Sequence, residues 1–596
     1  MKKYILLIAT LITAVSCNLE FFPYDKVSSG SMQNVENAGV ATDGNYALFK
    51  AALDYGGFFT VGNTYVRHLF QLNEFKGDNT LMSGKSTDPL FLDSTLDDSA
   101  TDTNTEYFWF ISYKICYATS VLINMIPDDT DDAVLRHIKG ENLVMRAFAH
   151  MNLCQVFSFP YVWSNGSEPG VIINTGESGT TRATVKQVYD QVEADLKAAV
   201  ACMDGGTRRG NNSYISKATA QGLLARLYLY EGRDQDCINM VGEMLAGAEP
   251  SSVLDPDYEH LFQFTKESKE VLWCVGLIDN TTDIAGQSAV LGSMYWCQGD
   301  PGDGSGWAEI YWSQPLLDLF WRYPEDKRLT MLDQMHKSKT GAKMIYWPIP
   351  TGDAHYENNI DRNPVFNEAT GKWTCTEYWF EGETERSVKH EVETEIVNTY
   401  PKYYITTHDG NKQYVTVTDS LGCRIGGGGG GWGGGYHSLG CRIGGGGNVY
   451  PLNYMKKFSC QEGQLTNLSS PAFIRWGELI LDRAEAYAHL GEDQKALDDV
   501  NVIRKRAGLS DEAMFTLANY KERGYDTVLD VVLDERRLEL CFEGFRVFDL
   551  QRNKKDIDRR YAGRQPWEVV KYNDLRLRYQ IPKKEILVTG IPQNPR

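Results

Sequence analysis

A stretch of sequence near residue 230 returns near residue 490. Ala225, Tyr228 and Gly232 reappear at a constant offset as Ala484, Tyr487 and Gly491, and Val241 reappears as Val500. In each copy a helix with one apolar face runs into a glycine and a second helix follows, a unit of about 34 residues. A helix pair of this kind cannot bury its apolar stripe alone, so copies stack on further pairs. The echo therefore predicts a scaffold of tetratricopeptide-like helix pairs. Helical periodicity extends that scaffold to blocks near 105–126, 131–157, 184–203, 217–231, 235–247, 473–490, 493–507 and 526–550. The expected fold class is mainly α, with a variable, loop-rich and partly β insertion between the two copies.

The insertion differs in character. From Val271 to Tyr404 helical periodicity is poor, and Val271–Leu277 and Tyr400–Thr406 read as strands. Gln314–Trp321 reads as a short helix that places Phe320 and Trp321 in a core. Seven of the 13 Trp lie between Trp296 and Trp379, off the helical blocks, where they are free to meet a ligand. Tyr295, Trp296, Trp307, Tyr311 and Trp312 bracket a Gly-rich loop, Gly299–Gly306. Asp300 and Asp303 in that loop are suited to Ca²⁺, but the alternating acids and terminal bidentate Glu of a calcium loop are missing, so no cofactor is expected. Further on, Ser420–Gly429 is repeated at Ser438–Gly447. No Lys-Ser/Thr helix start follows, so the repeat reads as a duplicated flexible loop rather than a phosphate cradle.

The N-terminus indicates export. Lys2 and Lys3 precede an apolar run from Tyr4 to Val15, then Ser16 and Cys17. This is the pattern of a signal peptide over residues 1–16, too short to span a bilayer, which takes about 20 helical residues. The small residues before Cys17 resemble a bacterial lipobox, in which that cysteine carries the lipid. The remaining eleven of 12 Cys form no Cys-x-x-Cys pair, which argues against a disulfide framework or zinc. A net charge of -19, from 60 Lys+Arg and 79 Asp+Glu, excludes a tracker of nucleic-acid phosphates.

Catalytic signals are weak. His-Glu-x-x-His, Gly-x-Ser-x-Gly and P-loop patterns are absent, and His150 sits among apolar neighbours as a core histidine. Glu535, Glu539 and Glu543 fall one helical turn apart, as paired catalytic carboxylates would. Arg536, Arg537 and Arg546 lie within reach to neutralise them, and a neighbouring guanidinium lowers the pKa that a general acid needs raised. A charged lattice locking the terminal helices is the expected result, with Arg146 and Arg475 bridging helices.

Several ordered segments carry a family resemblance. They are Arg475-Trp476-Gly477-Glu478 through Arg483-Ala484-Glu485-Ala486-Tyr487, Asn501-Val502-Ile503-Arg504, Glu535 to Arg546, and Ile581-Pro582 with Gln593-Asn594-Pro595. With the lipobox and Leu19-Glu20-Phe21-Phe22-Pro23, the chain resembles the SusD/RagB family of Bacteroidetes surface lipoproteins from Cys17 to its end. The resemblance implies four tetratricopeptide-like helix pairs and a lipid-anchored position on the outer membrane. It also implies a non-enzymatic role, in which glycan is captured for a SusC-like, TonB-dependent transporter, or peptide as in the RagB branch. It divides the chain into residues 17–270, a helical N-terminal region; 271–450, the aromatic-rich ligand-binding region; and 451–596, the C-terminal helices. Sugars need flat aromatic platforms and a few hydrogen-bonding groups, so Trp296, Trp307, Tyr311 and Trp312 are the expected platforms. Asp78 and Asn79, in the early loop from which family members also draw contacts, are the expected polar partners. Trp432, alone among glycines, is a further candidate. A polysaccharide-cleaving enzyme would instead need two unpaired carboxylates about 5–9 Å apart.

Overall fold

The computed structural model describes residues 34–52, 64–82, 90–177, 179–277, 291–295, 310–333, 343–350, 356–361, 363–397, 400–418, 423–425, 449–451, 453–461, 464–465, 469–561 and 565–596. Its principal helices are α1 (Val35–Ala47), α2 (Tyr65–Glu74), α3 (Thr103–Met125), α4 (Ala133–Phe157), α5 (Val185–Cys202), α6 (Lys217–Tyr230) and α7 (Asp234–Leu245). After the insertion, which contains α8 (Gln314–Phe320), come α9 (Trp476–His489), α10 (Asp493–Arg506), α11 (Val528–Glu539), α12 (Arg546–Arg552) and α13 (Lys583–Thr589). No helix among the described residues is long and apolar enough to cross a membrane.

The starts of these helices are written locally. Thr184, Ser216 and Thr527 each form a capping box with the residue three positions on, and the Asp132 carboxylate accepts from the backbone of Val134 and Leu135. Each such cap is worth about 1 kcal/mol. The two echoed pairs, α6–α7 and α9–α10, end their first helix in the same way. Gly232 has φ +72° and Gly491 φ +73°, and the six-residue bonds Arg233 N–H to Tyr228 O (2.8 Å) and Glu492 N–H to Tyr487 O (2.9 Å) close both turns. Ala225, Ala484, Val241 and Val500 are all fully buried. Helix α7 of the early pair packs against α9 of the late one, so the two copies adjoin in space although the insertion separates them in sequence.

Two features depart from the sequence expectation. The 526–550 block is two helices, because Phe542 (φ +65°) and Gly544 (φ +81°) adopt left-handed backbone and turn the chain back onto α2. A Cβ on Gly544 would lie 3.1 Å from Asn73 Cβ, so that contact needs glycine. Helix α2 lies outside the periodic blocks; nine of its ten residues are buried, its polar stripe of Arg67, His68, Gln71 and Glu74 included.

The insertion is built from short sheets. Strands β1 (Thr80–Met82) and β3 (Ile310–Trp312) pair antiparallel, as do β2 (Val271–Cys274) and β12 (Ala472–Arg475), which return the chain to the scaffold on both sides. Strands β4 (Met344–Pro350), β5 (Tyr356–Asp361), β9 (Glu393–Val397), β10 (Tyr400–Thr406) and β11 (Lys412–Thr418) form a five-stranded sheet in the order β9-β10-β11-β4-β5. Strands β6 (Val365–Asn367), β7 (Lys372–Glu381) and β8 (Thr384–Glu391) form a three-stranded sheet. Ile345, Trp347, Cys375, Val392, Ile405 and Val415 make a separate small core for this layer.

Candidate functional site

The polar partners expected in the early loop belong to a buried lock. Asp78 is 5 % exposed, with Oδ1 2.9 Å from Arg546 Nε and Oδ2 3.2 Å from Arg537 Nη2. Burial alone would raise its carboxyl, but the two guanidinium groups outweigh burial and hold it at about 2. The Asn79 side chain accepts from Arg537 Nε (2.7 Å) and donates to Glu74 (2.8 Å). Burial pushes the Glu74 carboxyl up to about 7. Asp78 and Asn79 thus tie the loop after α2 to α11 and α12 and offer no open face, which corrects their assignment as ligand partners.

Two of the expected platforms are also internal. Tyr311 and Trp312 are 0 % and 1 % exposed on β3; Trp312 packs on Phe320 and Phe542 with ring centroids 5.2 and 5.5 Å away. The pairing of β3 with β1 draws this segment under the scaffold, whereas its place beside a glycine loop had suggested exposure. Phe320 is buried and Trp321 packs against the main core, as their helical stretch implied. Trp296, Trp307, Trp432, Asp300, Asp303, Cys17 and most of the duplicated glycine segment lie outside the described residues.

The charged lattice forms, with partners other than those expected from the helix itself. Glu535 pairs with Arg328 and Arg504, Glu539 with Arg475, Arg506 and Arg328, and Glu543 with Arg475 and Lys457. Arg536 instead takes Asp482 and Asp549, while Arg537 and Arg546 take Asp78. Burial opposes ionisation of Glu539, yet three guanidinium groups keep its carboxyl far below the usual range. Arg146 bridges α4 to α5 through Asp195 at 2.7 and 2.8 Å. Burial, followed by the Arg146 charge, lowers the His150 imidazole to about 3, and the Asn174 N–H donates to its Nε2. A cleft lined in part by Phe148, Asn152, Arg226 and Phe473 has about 30 Å³ of room, enough for one or two waters and too little for a sugar ring.

Among the described residues, one aromatic site open to solvent lies on the β layer. Along β7 side chains alternate, so Trp373, Cys375, Glu377 and Trp379 share the face turned to the five-stranded sheet. Trp379 is half-buried and lies flat on the imidazole of His408, at 4.1 Å between centroids and 6° between planes. His408 sits in the turn after β10, and its Nδ1 is 2.7 Å from Glu377 Oε1. Glu377 Oε2 also accepts the His408 backbone N–H (2.8 Å) and lies 2.6 Å from His390 Nε2 on β8. A buried carboxylate therefore fixes two imidazoles from two sheets, and one of them backs the indole. Nearby, Lys412 lies over Tyr404 (4.1 Å) and Tyr414 (5.3 Å), and Tyr414 is 43 % exposed. Sequence reasoning missed Trp379 and His408. The signal was present in the two-residue period from Trp373 to Trp379 and in the Asp409-Gly410 hairpin turn, but nothing local shows that this turn lies beneath the indole of another sheet.

Two family models match the chain. The SusD family matches residues 269–586, and a family described as starch-binding associating with outer membrane matches residues 37–229. The first spans more than half of the chain, which therefore belongs to the SusD family. SusD-like protein P2 of Formosa agariphila is 21 % identical over 460 residues, 75 % of this chain and 71 % of that protein. SusD-like protein P38 of the same organism is 34 % identical over 88 residues, 14 % of this chain and 17 % of that one. Among solved structures, a SusD superfamily protein from Bacteroides thetaiotaomicron superposes with a TM-score of 0.65 at 21 % identity, covering 94 % of this chain and 100 % of its own. A laminarin-binding SusD-like protein superposes with a TM-score of 0.56 at 18 % identity, covering 94 % and 99 %. Both share the mainly α, SusD-like fold described above.

Proposed function

We propose that this chain is a cell-surface glycan-binding lipoprotein, anchored through Cys17 in the outer membrane, that captures oligo- or polysaccharide without cleaving it. It delivers the glycan to a SusC-like, TonB-dependent transporter. The observation that carries this reading is the half-exposed Trp379, held flat by His408 and Glu377 on a layer outside the helical scaffold. A fixed indole offers a large apolar face to sugar C–H groups at small entropic cost. Membership of the SusD family, the starch-binding description of the second matching model and the laminarin-binding neighbour support the same ligand class. Trp296 and Trp307 remain proposed as further platforms. Affinity electrophoresis against a polysaccharide panel tests the reading: wild type is retarded by at least one glycan, and Trp379→Ala weakens that binding about five- to tenfold. Unchanged retardation of the variant would remove Trp379 from the site. Peptide binding with no glycan binding would favour the RagB-like reading.

A further inference from the structure

Among the described residues most buried arginines have carboxylate partners; Arg559, which donates to the Phe75 and Ser94 carbonyls, and Arg578 have none. Arg578 is 3 % exposed, yet its Nε finds no acceptor and its Nη2 reaches only the Pro595 carbonyl at 3.5 Å. Arg182, half-buried at the surface, donates only to carbonyls: Gly170 (2.8 Å), Pro592 (3.2 Å) and Pro169 (3.2 Å). Neither guanidinium pairs with a carboxylate among the described residues, although both hold the same C-terminal segment. Burial first, and the Arg182 charge second, pull the Arg578 guanidinium down to about 10, with Glu168 acting weakly the other way. Arg578 also lies 3.9 Å over the Phe159 ring, which stacks on Trp163 at 4.9 Å, so the pair stands beside a partly exposed aromatic surface. A buried cation without a counter-charge is costly to keep, and a planar guanidinium with unused donors matches a carboxylate or sulfate.

We infer that Arg182 and Arg578 form an oxyanion site, beside the Phe159–Trp163 stack, for a carboxylate or sulfate group carried by an acidic sugar. The inference rests on the reading of the chain as a glycan binder and adds a second, charged ligand class at a place separate from Trp379. One guanidinium of the site opens to solvent at Arg182, and the other supplies the unpaired Nε from within.

Isothermal titration of the full chain with sodium glucuronate, sodium sulfate, glucose and sodium chloride at matched ionic strength tests it. Saturable binding of glucuronate is expected, with glucose and chloride giving none, and sulfate binding separates a general oxyanion site from a carboxylate-specific one. Arg578→Gln is expected to lose about tenfold or more in affinity. Should that variant fail to fold, hydrogen exchange on wild type supplies the readout: glucuronate is expected to protect residues 159–163 and 578–580. Chloride matching glucuronate, full affinity in folded Arg578→Gln, or no protection at those residues would overturn the site. Loss of this site with neutral polysaccharide still bound through Trp379 would leave the proposed function standing, whereas absence of any glycan binding would remove both.

Discussion

At the scale of single residues, burial separates the aromatic side chains that build from those that bind. Trp312 fills a space between Phe320 and Phe542 at 1 % exposure, so Trp312→Ala should destabilise the fold by about 3–5 kcal/mol, read as a lower midpoint in urea, with no selective loss of ligand. Trp379→Ala should do the reverse, weakening glycan binding while leaving the urea midpoint close to that of wild type. Glu539 behaves as a structural counter-charge: Glu539→Gln leaves Arg475, Arg506 and Arg328 without it and should cost about 3–5 kcal/mol in the same urea measurement.

At the scale of elements, the echoed helix pairs were the most legible part of the sequence. Their periodicity and glycine stops depend on neighbours within a few residues, and Gly232 and Gly491 adopt the same left-handed turn. A Cβ on Gly491 would meet nothing within 4 Å, so Gly491→Ala isolates backbone strain and should cost about 1 kcal/mol in thermal or urea unfolding. Gly232→Ala should cost somewhat more, because Val162 stands 3.1 Å from the added carbon. Where sequence reading failed, the deciding contact was distant. Asp78 meets Arg537 and Arg546 from more than 450 residues away, and β3 is drawn inward by β1, neither of which leaves a local pattern. Between the two copies, His489 faces Asp234 at 2.9 Å, with Glu485 and Asn553 also against it. Burial would lower this imidazole, but the Asp234 bond and the Glu485 charge raise it on balance. A folded pKa above the unfolded value of about 6.5 means that its stabilisation is complete below that value and fades as pH rises through the folded one. His489→Gln should therefore destabilise the protein more at pH near 6 than near 9 in paired urea titrations.

At the scale of the whole molecule, the lattice joins the early loop, the insertion and the terminal helices, and so makes the scaffold sensitive to acid. Asp78, held at about 2, contributes stability that is complete above the ordinary carboxylate value of about 3.9 and is lost as pH falls through 2. Glu539 and Glu543, both held below the usual range by their arginine partners, lose their contribution in the same direction. Stability followed by near-ultraviolet circular dichroism should thus fall steeply between about pH 4 and 2. The scaffold carries an aromatic β layer whose own small core is separate from it, a division of labour suited to holding a ligand in place. The central claim, that the layer binds glycan and does not cut it, is tested most directly by incubating purified wild type and Trp379→Ala with a polysaccharide panel. Retardation in affinity gels and release of reducing ends are read together. Retardation of wild type by a glycan, weakened in the variant and with no reducing ends released, is the predicted result; retention of no glycan, or steady release of reducing ends, would contradict it.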